Sequence, residues 1–427
     1  MNTSTRKHPS LPRPIQGEMK LENSNRLLAE AKRLVPGVTF SMMKRPEHFA
    51  PESFPVYLAR GQGALVEDVD GQQYIDYIGG LGANMLGHNH PAVVEAIRKH
   101  LEEGLIHSLP TPIELSATQT LVEMIPGAEM ARFFKTGADA TSAAMRLARI
   151  ITGKERIITV GYNGWHDHFM VGTPGVPAVM SQYTIRMPLF TPQDETALLA
   201  SIAENAKQLA AVLISIPFNR CLSREFMHQL RAACTANEVL MVQDEVITGF
   251  RLARGGAQEF FDVKADFVCL SKALAAGMPL SAVAGPAKHL SKLGGMEVQV
   301  STTFGGEMLS LAVCEATLKE YRKGGYIENL SALGSRLRTG INAHAEKAGS
   351  PLRVLGYDVI PFFLFDKNPV EHAKRMQPFQ AGMARRGILL RRDVNFISAV
   401  HTEEQIDYTI EMAGEVLQSL AKAGNAA

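Results

Sequence analysis

At 427 residues the chain is too long for one simple hydrophobic core and predicts a large domain with a smaller one folded separately. It is 46% hydrophobic and 20% charged, as globular proteins are, and 44 basic residues against 43 acidic ones leave a net charge of +1. That balance argues against a nucleic-acid binder and requires any charged substrate to be recognised locally.

The first segment, "MNTSTRKHPSLPRPIQGEMK", is polar and proline-containing. It lacks the apolar stretch of a signal peptide and is expected as a loosely ordered arm, with a cytoplasmic location. Residues 21–37, "LENSNRLLAEAKRLVPG", predict an amphipathic helix stopped at Pro36-Gly37. "YLARGQGALVEDVDGQQYIDYIGG" alternates apolar and polar residues around Asp70-Gly71, a hairpin signal, and "HPAVVEAIRKHLEEG" continues as a helix.

From about 115 to 300, helical stretches such as "ATSAAMRLARIITG" alternate with short apolar runs: "RIITVGY", "LAAVLISIP", "VLMVQDEV", "ADFVCLS", "SAVAG". Apolar runs of that length suit strands buried on both faces, so the pattern predicts a mostly parallel sheet covered by helices. From about 310 two long helices lead into further strands and helices, expected as a second, smaller α/β domain. The expected divisions are 1–75 (the arm and a segment joining the small domain), 76–310 (the large domain) and 311–427 (the small domain). No apolar run reaches the length of a membrane span. Cys221, Cys234, Cys269 and Cys314 are far apart with no CxxC, which favours reduced thiols over a disulfide or zinc framework.

In a parallel α/β sheet ligands collect beyond the carboxyl ends of the strands. After "RIITV" come Gly161, Tyr162 and Asn163; after "VLMVQ" come Asp244 and Glu245; after "DFVCL" come Ser271 and Lys272. Before one helix stands "FFKTGADA", a small-residue loop that offers bare N–H groups to an anion. Each feature alone has a bland reading: a surface lysine, a turn aspartate, a helix cap. Together they match pyridoxal phosphate. Its aldehyde needs a lysine amine, its ring nitrogen a carboxylate, its ring face a stacking partner and its phosphate helix N–H groups.

The strings "DEVITGF", "DFVCLSKALAAGMPLSAVAG", "GALVEDVDGQQYIDYIGG" and "LGHNHPAVVEAI" resemble the class III pyridoxal-phosphate aminotransferases, in the branch that includes glutamate-1-semialdehyde aminomutase. The resemblance runs from about residue 35 to the C-terminus. It implies the pyridoxal-phosphate-dependent transferase fold type I, with a mostly parallel seven-stranded-type sheet in the large domain. It also implies a homodimer. Residue by residue, Lys272 matches the Schiff-base lysine and proton carrier, and Asp244 the partner of the ring nitrogen. Tyr162 matches the stacking aromatic; Thr136, Gly137 and Ala138 match the phosphate loop. Thr303, in "STTFGGEM", matches a threonine reaching the neighbouring subunit's phosphate.

Three positions depart from the family pattern: Ala138 within "TGADA", Asn163 where histidine is usual, and Ile216 where a glutamate usually precedes proline. The expected activity is amino transfer between an amine or amino-acid donor and a carbonyl acceptor. The alternatives are an intramolecular aminomutase and a non-catalytic cofactor-binding relative. The strings "TFSMMKRPEHF" and "TFGGEMLSLA" resemble a branch linked to sugar or polysaccharide building. Arg45, Trp165 and Arg391 are substrate candidates, with His166, Asp167 and Arg392 beside them. His88 and His90 share a loop, yet no carboxylate or third histidine accompanies them in sequence, so no metal is expected.

Overall fold

The Asp70-Gly71 signal passes directly into local structure. In the computed structural model, which describes residues 11–15, 17–50 and 53–424, α1 (Glu22–Leu34) is followed by β1 (Leu58–Gln62), β2 (Leu65–Asp68) and β3 (Gln73–Asp76). β2 and β3 pair antiparallel across a turn where Gly71 takes φ +84°. The Asp68 carboxylate accepts from the N–H groups of Asp70 and Gln72, so the residue that opens the turn closes its amides. Of the expected arm, residues 1–10 and 16 lie outside the described residues.

The chain divides into two compact units. One takes residues up to Leu81, then Met85–His90 and everything from Glu328; the other takes Gly82–Asn84 and Pro91–Ile327. After the short turn α2 (Gly79–Gly82), the second, larger unit runs through α3 (Pro91–His100), α4 (Pro112–Val122), β4 (Met130–Phe134), α5 (Gly137–Thr152), β5 (Arg156–Val160) and β6 (Thr184–Met187). It continues with α6 (Pro192–Asn205), β7 (Leu209–Ser215), α7 (Arg224–Ala236), β8 (Leu240–Glu245), α8 (Ala257–Phe261), β9 (Phe267–Leu270), β10 (Ser281–Gly285), α9 (Ala287–Leu290) and α10 (Met308–Arg322).

Its seven strands lie in the order β4-β10-β9-β8-β7-β5-β6. Only β10 runs against its neighbours, so the sheet is mostly parallel, as the apolar runs predict. β4 and β6 were not foreseen in the sequence. They are the two edge strands, each covered on fewer sides, and their residues are correspondingly mixed: "MARFF" and "TIRM" carry arginines and lack a continuous apolar run. β7, in the interior, buries six of its seven residues.

α5 illustrates how a helix comes to lie close on this sheet. Thr136 and Asp139 form a capping box at its start, and Gly153 ends it in the left-handed region at φ +67°. Ala140, Ala143, Ala144 and Ala148 make a small-residue face within the core that also holds Ala211, Leu213, Val242 and Cys269. The helix α10, counted above from 311 with the small domain, packs against α3 and α4 in the larger unit, where the Tyr321 hydroxyl donates to the Ala273 carbonyl at 2.9 Å.

The smaller unit joins β1, β2 and β3 to β13 (Ile388–Leu389), which runs parallel to β3. It also contains most of α11 (Tyr326–Lys347), the hairpin of β11 (Arg353–Tyr357) and β12 (Ile360–Leu364), α12 (Pro369–Ala384) and α13 (Glu403–Gly424). Among the described residues no helix is long and apolar enough to cross a membrane.

Candidate active site

Asp244 and Lys272 leave the same edge of the sheet from neighbouring parallel strands. β8 and β9 pair with Asp244 opposite Cys269 and Glu245 opposite Leu270, so Lys272 follows two residues beyond the ladder. Ser271 is fully extended at φ −165°, and Lys272 then turns into the left-handed region at φ +48°. A side chain with a Cβ rarely adopts that conformation, and it persists only where the surroundings hold it. Here the Ser271 hydroxyl donates to the Leu280 carbonyl at 2.8 Å, and a short 3₁₀ turn over Lys272–Ala275 follows.

The Asp244 carboxylate is buried and hydrogen-bonded on both oxygens. Asn163 Nδ2 donates to Oδ2 at 2.8 Å, Ser215 Oγ donates to the same Oδ2 at 2.8 Å, and the Val246 N–H donates to Oδ1 at 3.1 Å. Burial raises its pKa; those three donors and the charge of Lys272 act the other way. The next residue, Glu245, points to the other face of the strand. It accepts from Thr248 Oγ1 and from the N–H groups of Ala257 and Gln258, tying the following loop to the sheet.

Ser215 is the site residue that the sequence reading missed. It ends β7 directly opposite Asp244 in the parallel register, so the two side chains project to one face. Gly161, just before Tyr162, makes room for it: a Cβ at this glycine, whose φ is +82°, would lie 2.9 Å from Ser215 Cβ. A polar residue closing a fully apolar run at the ligand-bearing edge was the available signal.

The loop from β4 to α5 presents the N–H groups of Gly137 and Ala138 at the first turn of a 16-residue helix, where intrahelical acceptors are lacking. The Ser281 hydroxyl holds the Thr136 carbonyl at 2.5 Å. A Cβ on Gly137 would meet the Val246 methyls at 3.0 and 3.1 Å, and one on Gly164 would meet Ala138 Cβ at 2.8 Å. The departure at Ala138 thus fits a crowded position, where a larger side chain would press on Gly164.

The remaining candidates divide between the units. Tyr162 and Trp165 follow β5 and are 66% and 69% exposed. His166 does not face outward with Trp165; its Nδ1 lies 2.6 Å from Ser142 Oγ, which also lies 3.2 Å from His168 Nε2. Thr303 sits in an exposed turn. Arg45 and Arg391 belong to the smaller unit. Arg45 is exposed between two 3₁₀ turns. Arg391 is buried and paired with Asp393 at 2.9 Å, and burial lowers its pKa. His88 does meet a carboxylate, contrary to its sequence surroundings: Nε2 lies 2.9 Å from Asp76 Oδ2, although the two are 12 residues apart.

A buried carboxylate within electrostatic reach of a lysine, beside a helix start with bare N–H groups, fits the charges of pyridoxal phosphate at three of its functional groups. With the sheet order this defines a fold type I pyridoxal-phosphate enzyme. The chain matches the family model for aminotransferase class-III over residues 48–393. It is 32% identical to the glutamate-1-semialdehyde 2,1-aminomutases of Desulforapulum autotrophicum and Archaeoglobus fulgidus, covering 94% and 93% of this chain and all of each relative. Among solved structures, the FumI protein of Sphingopyxis sp. MTA144 in its PLP internal aldimine form superposes with a TM-score of 0.86 at 28% identity, over 93% of this chain and 96% of that one. A transaminase with PLP bound gives a TM-score of 0.86 at 26% identity, over 95% of this chain and 100% of that one. The chain belongs to the class III aminotransferases, and its cofactor is pyridoxal phosphate.

Proposed function

We propose that this enzyme transfers an amino group from one small molecule to the carbonyl carbon of another. The carrying observation is the approach of Lys272 to Asp244 at the ends of adjacent strands. Pyridoxal phosphate supplies an aldehyde carbon for the amine and a ring that accepts the electrons of the broken Cα–H bond. In the proposal Lys272 Nζ would hold that aldehyde carbon until the substrate amine replaces it there, and, once released, would take and return the substrate proton. Asp244 keeps the ring nitrogen protonated. Tyr162 would lie against the ring, and the N–H groups of Gly137 and Ala138, with Thr136, would bind the phosphate. Trp165, Arg45 and Arg391 are assigned to the substrate side, where an arginine suits a carboxylate or phosphate. The scattered, free cysteines support a reducing, cytoplasmic location.

Thr303 is assigned to the phosphate of a second copy, which makes the homodimer the active unit. Its exposure in a turn supports this reading. A Lys272→Ala protein and a Thr303→Asp protein, each inactive alone, should regain activity when their subunits are exchanged, because some mixed dimers hold one intact site. Verified exchange without recovery would count against shared sites.

The relatives named aminomutase favour a second reading, in which nitrogen moves within one molecule. That chemistry must retain a half-aminated intermediate and needs a site that closes on one substrate. Departures at Ala138, Asn163 and Ile216, and the length of the segment "SMMKRPEHFAPESFP", support an open site serving two partners in turn. Within that segment residues 51 and 52 lie outside the described residues. Label from nitrogen-15 glutamate or alanine should pass into the aminated product with ping-pong kinetics. Label confined to one molecule, with no dependence on added donor, decides for the aminomutase.

A further inference from the structure

We infer that Asn163 and Ser215 are a pair of positioning residues that together hold Asp244 as an anion aimed at the cofactor ring. The inference rests on the assignment of Asp244 to the ring nitrogen.

The hydrogen bonds form a closed triangle. Asn163 Nδ2 has two protons: one goes to Asp244 Oδ2 at 2.8 Å, the other to Ser215 Oγ at 3.1 Å. Ser215 Oγ accepts from Asn163 and donates its own proton to Asp244 Oδ2 at 2.8 Å. The Tyr162 carbonyl is a second, longer acceptor for the Ser215 hydroxyl at 3.3 Å; with the shorter bond to Asp244 made, two of the pair's three protons point at one carboxylate oxygen. Asn163 is 4% exposed and is anchored at its backbone, since Thr141 Oγ1 donates to its carbonyl at 2.6 Å. Ser215 is fixed by the sheet register opposite Asp244.

Hydrogen bonds to a charged acceptor favour the charged form. Two neutral donors on Oδ2 lower the proton affinity of Asp244, and both lower its pKa against the effect of burial. They also fix the carboxylate plane, leaving Oδ1, with its bond from Val246, as the less crowded oxygen. Asn163 on the loop after β5 and Ser215 at the end of β7 thus act on Asp244 as one unit, from two separate segments of the chain. Gly161 is part of the device, because only a residue without Cβ lets the loop approach Ser215 this closely.

The test reads the proton on the ring, not turnover alone. Holoenzyme is prepared with pyridoxal phosphate labelled with nitrogen-15 in the ring, and its chemical shift is recorded for wild type, Ser215→Ala, Asn163→Leu, Ser215→Thr and Asp244→Asn. Ser215→Ala and Asn163→Leu should each move the signal toward the unprotonated value and loosen cofactor binding about tenfold, the worth of one hydrogen bond to a charged group. Ser215→Thr, which keeps the hydroxyl, should retain the wild-type shift. Should Ser215→Ala fail to fold, Ser215→Cys keeps the size with a much weaker donor and should behave as the alanine variant does. A lowered melting temperature with an unmoved nitrogen signal in both Ser215→Ala and Asn163→Leu overturns the inference and leaves Asp244 in its role. An unmoved signal in Asp244→Asn, or an unprotonated ring in wild type, overturns the assignment of Asp244 itself.

Discussion

Lys272→Ala protein should fold, bind pyridoxal phosphate weakly and lose about a thousandfold or more of its amino-transfer rate. Two functions disappear with one side chain: the covalent hold on the cofactor and the base that moves the Cα proton, the latter alone worth about 10²–10⁴-fold. The fold should survive because the constraint at this position lies in the backbone. Lys272 takes φ +48° between an extended Ser271 and a 3₁₀ turn, and alanine meets the same steric cost there. The supports belong to other residues, Ser271 Oγ on the Leu280 carbonyl and Tyr321 on the Ala273 carbonyl, and stay in place. Lys272→Arg separates charge from chemistry: a guanidinium keeps the positive charge beside Asp244 but stays protonated and forms no imine. Borohydride reduction of wild-type holoenzyme followed by peptide mapping should mark Lys272. A mark on another lysine, or an alanine variant with substantial turnover, would overturn the assignment.

The places of Lys272 and Asp244 at the ends of neighbouring strands were legible in the sequence for a physical reason. Interior strands of a parallel sheet are buried on both faces and appear as unbroken apolar runs, so a charge at the end of a run stands out. Edge strands carry no such mark, which is why β4 and β6 escaped notice while β5, β7, β8 and β9 did not. Ser215 was invisible for the opposite reason. A serine after an apolar run is an ordinary strand ending, and its meaning depends on the register that sets it opposite Asp244. Asn163 was visible only as a departure from a pattern; its partner appeared once the loop after β5 could be laid over the end of β7. The pairing of Asp76 with His88 is a similar case, since the hairpin and the loop that carry them meet only in three dimensions.

Asp244→Asn should preserve the fold and reduce turnover by about 10²–10³-fold, the usual cost of removing one preorganised electrostatic group. The amide has the size of the carboxylate, but the neighbours dictate how it sits. Asn163 Nδ2 and Ser215 Oγ both donate toward Oδ2, so the amide oxygen must take that place. The amide NH₂ then occupies the Oδ1 position, facing the Val246 N–H, which is also a donor. One backbone donor is left without its acceptor, and the ring nitrogen meets an N–H where it met a negative charge. A pyridine that accepts a hydrogen bond is unprotonated and withdraws electrons poorly from Cα. The cofactor-free protein offers a second measurement of opposite sign. Burial raises the pKa of the Asp244 carboxyl in the folded chain. Such a group contributes stability below its unfolded pKa of about 3.9, and that contribution is lost as pH rises through the folded value. Asparagine does not titrate, so the apo variant should gain on wild type in melting temperature as pH increases from about 4 toward neutrality, while its holoenzyme stays nearly inactive throughout. An asparagine variant with near-normal turnover, or a melting difference that shrinks as pH rises, would show that Asp244 is not the buried anion serving the ring.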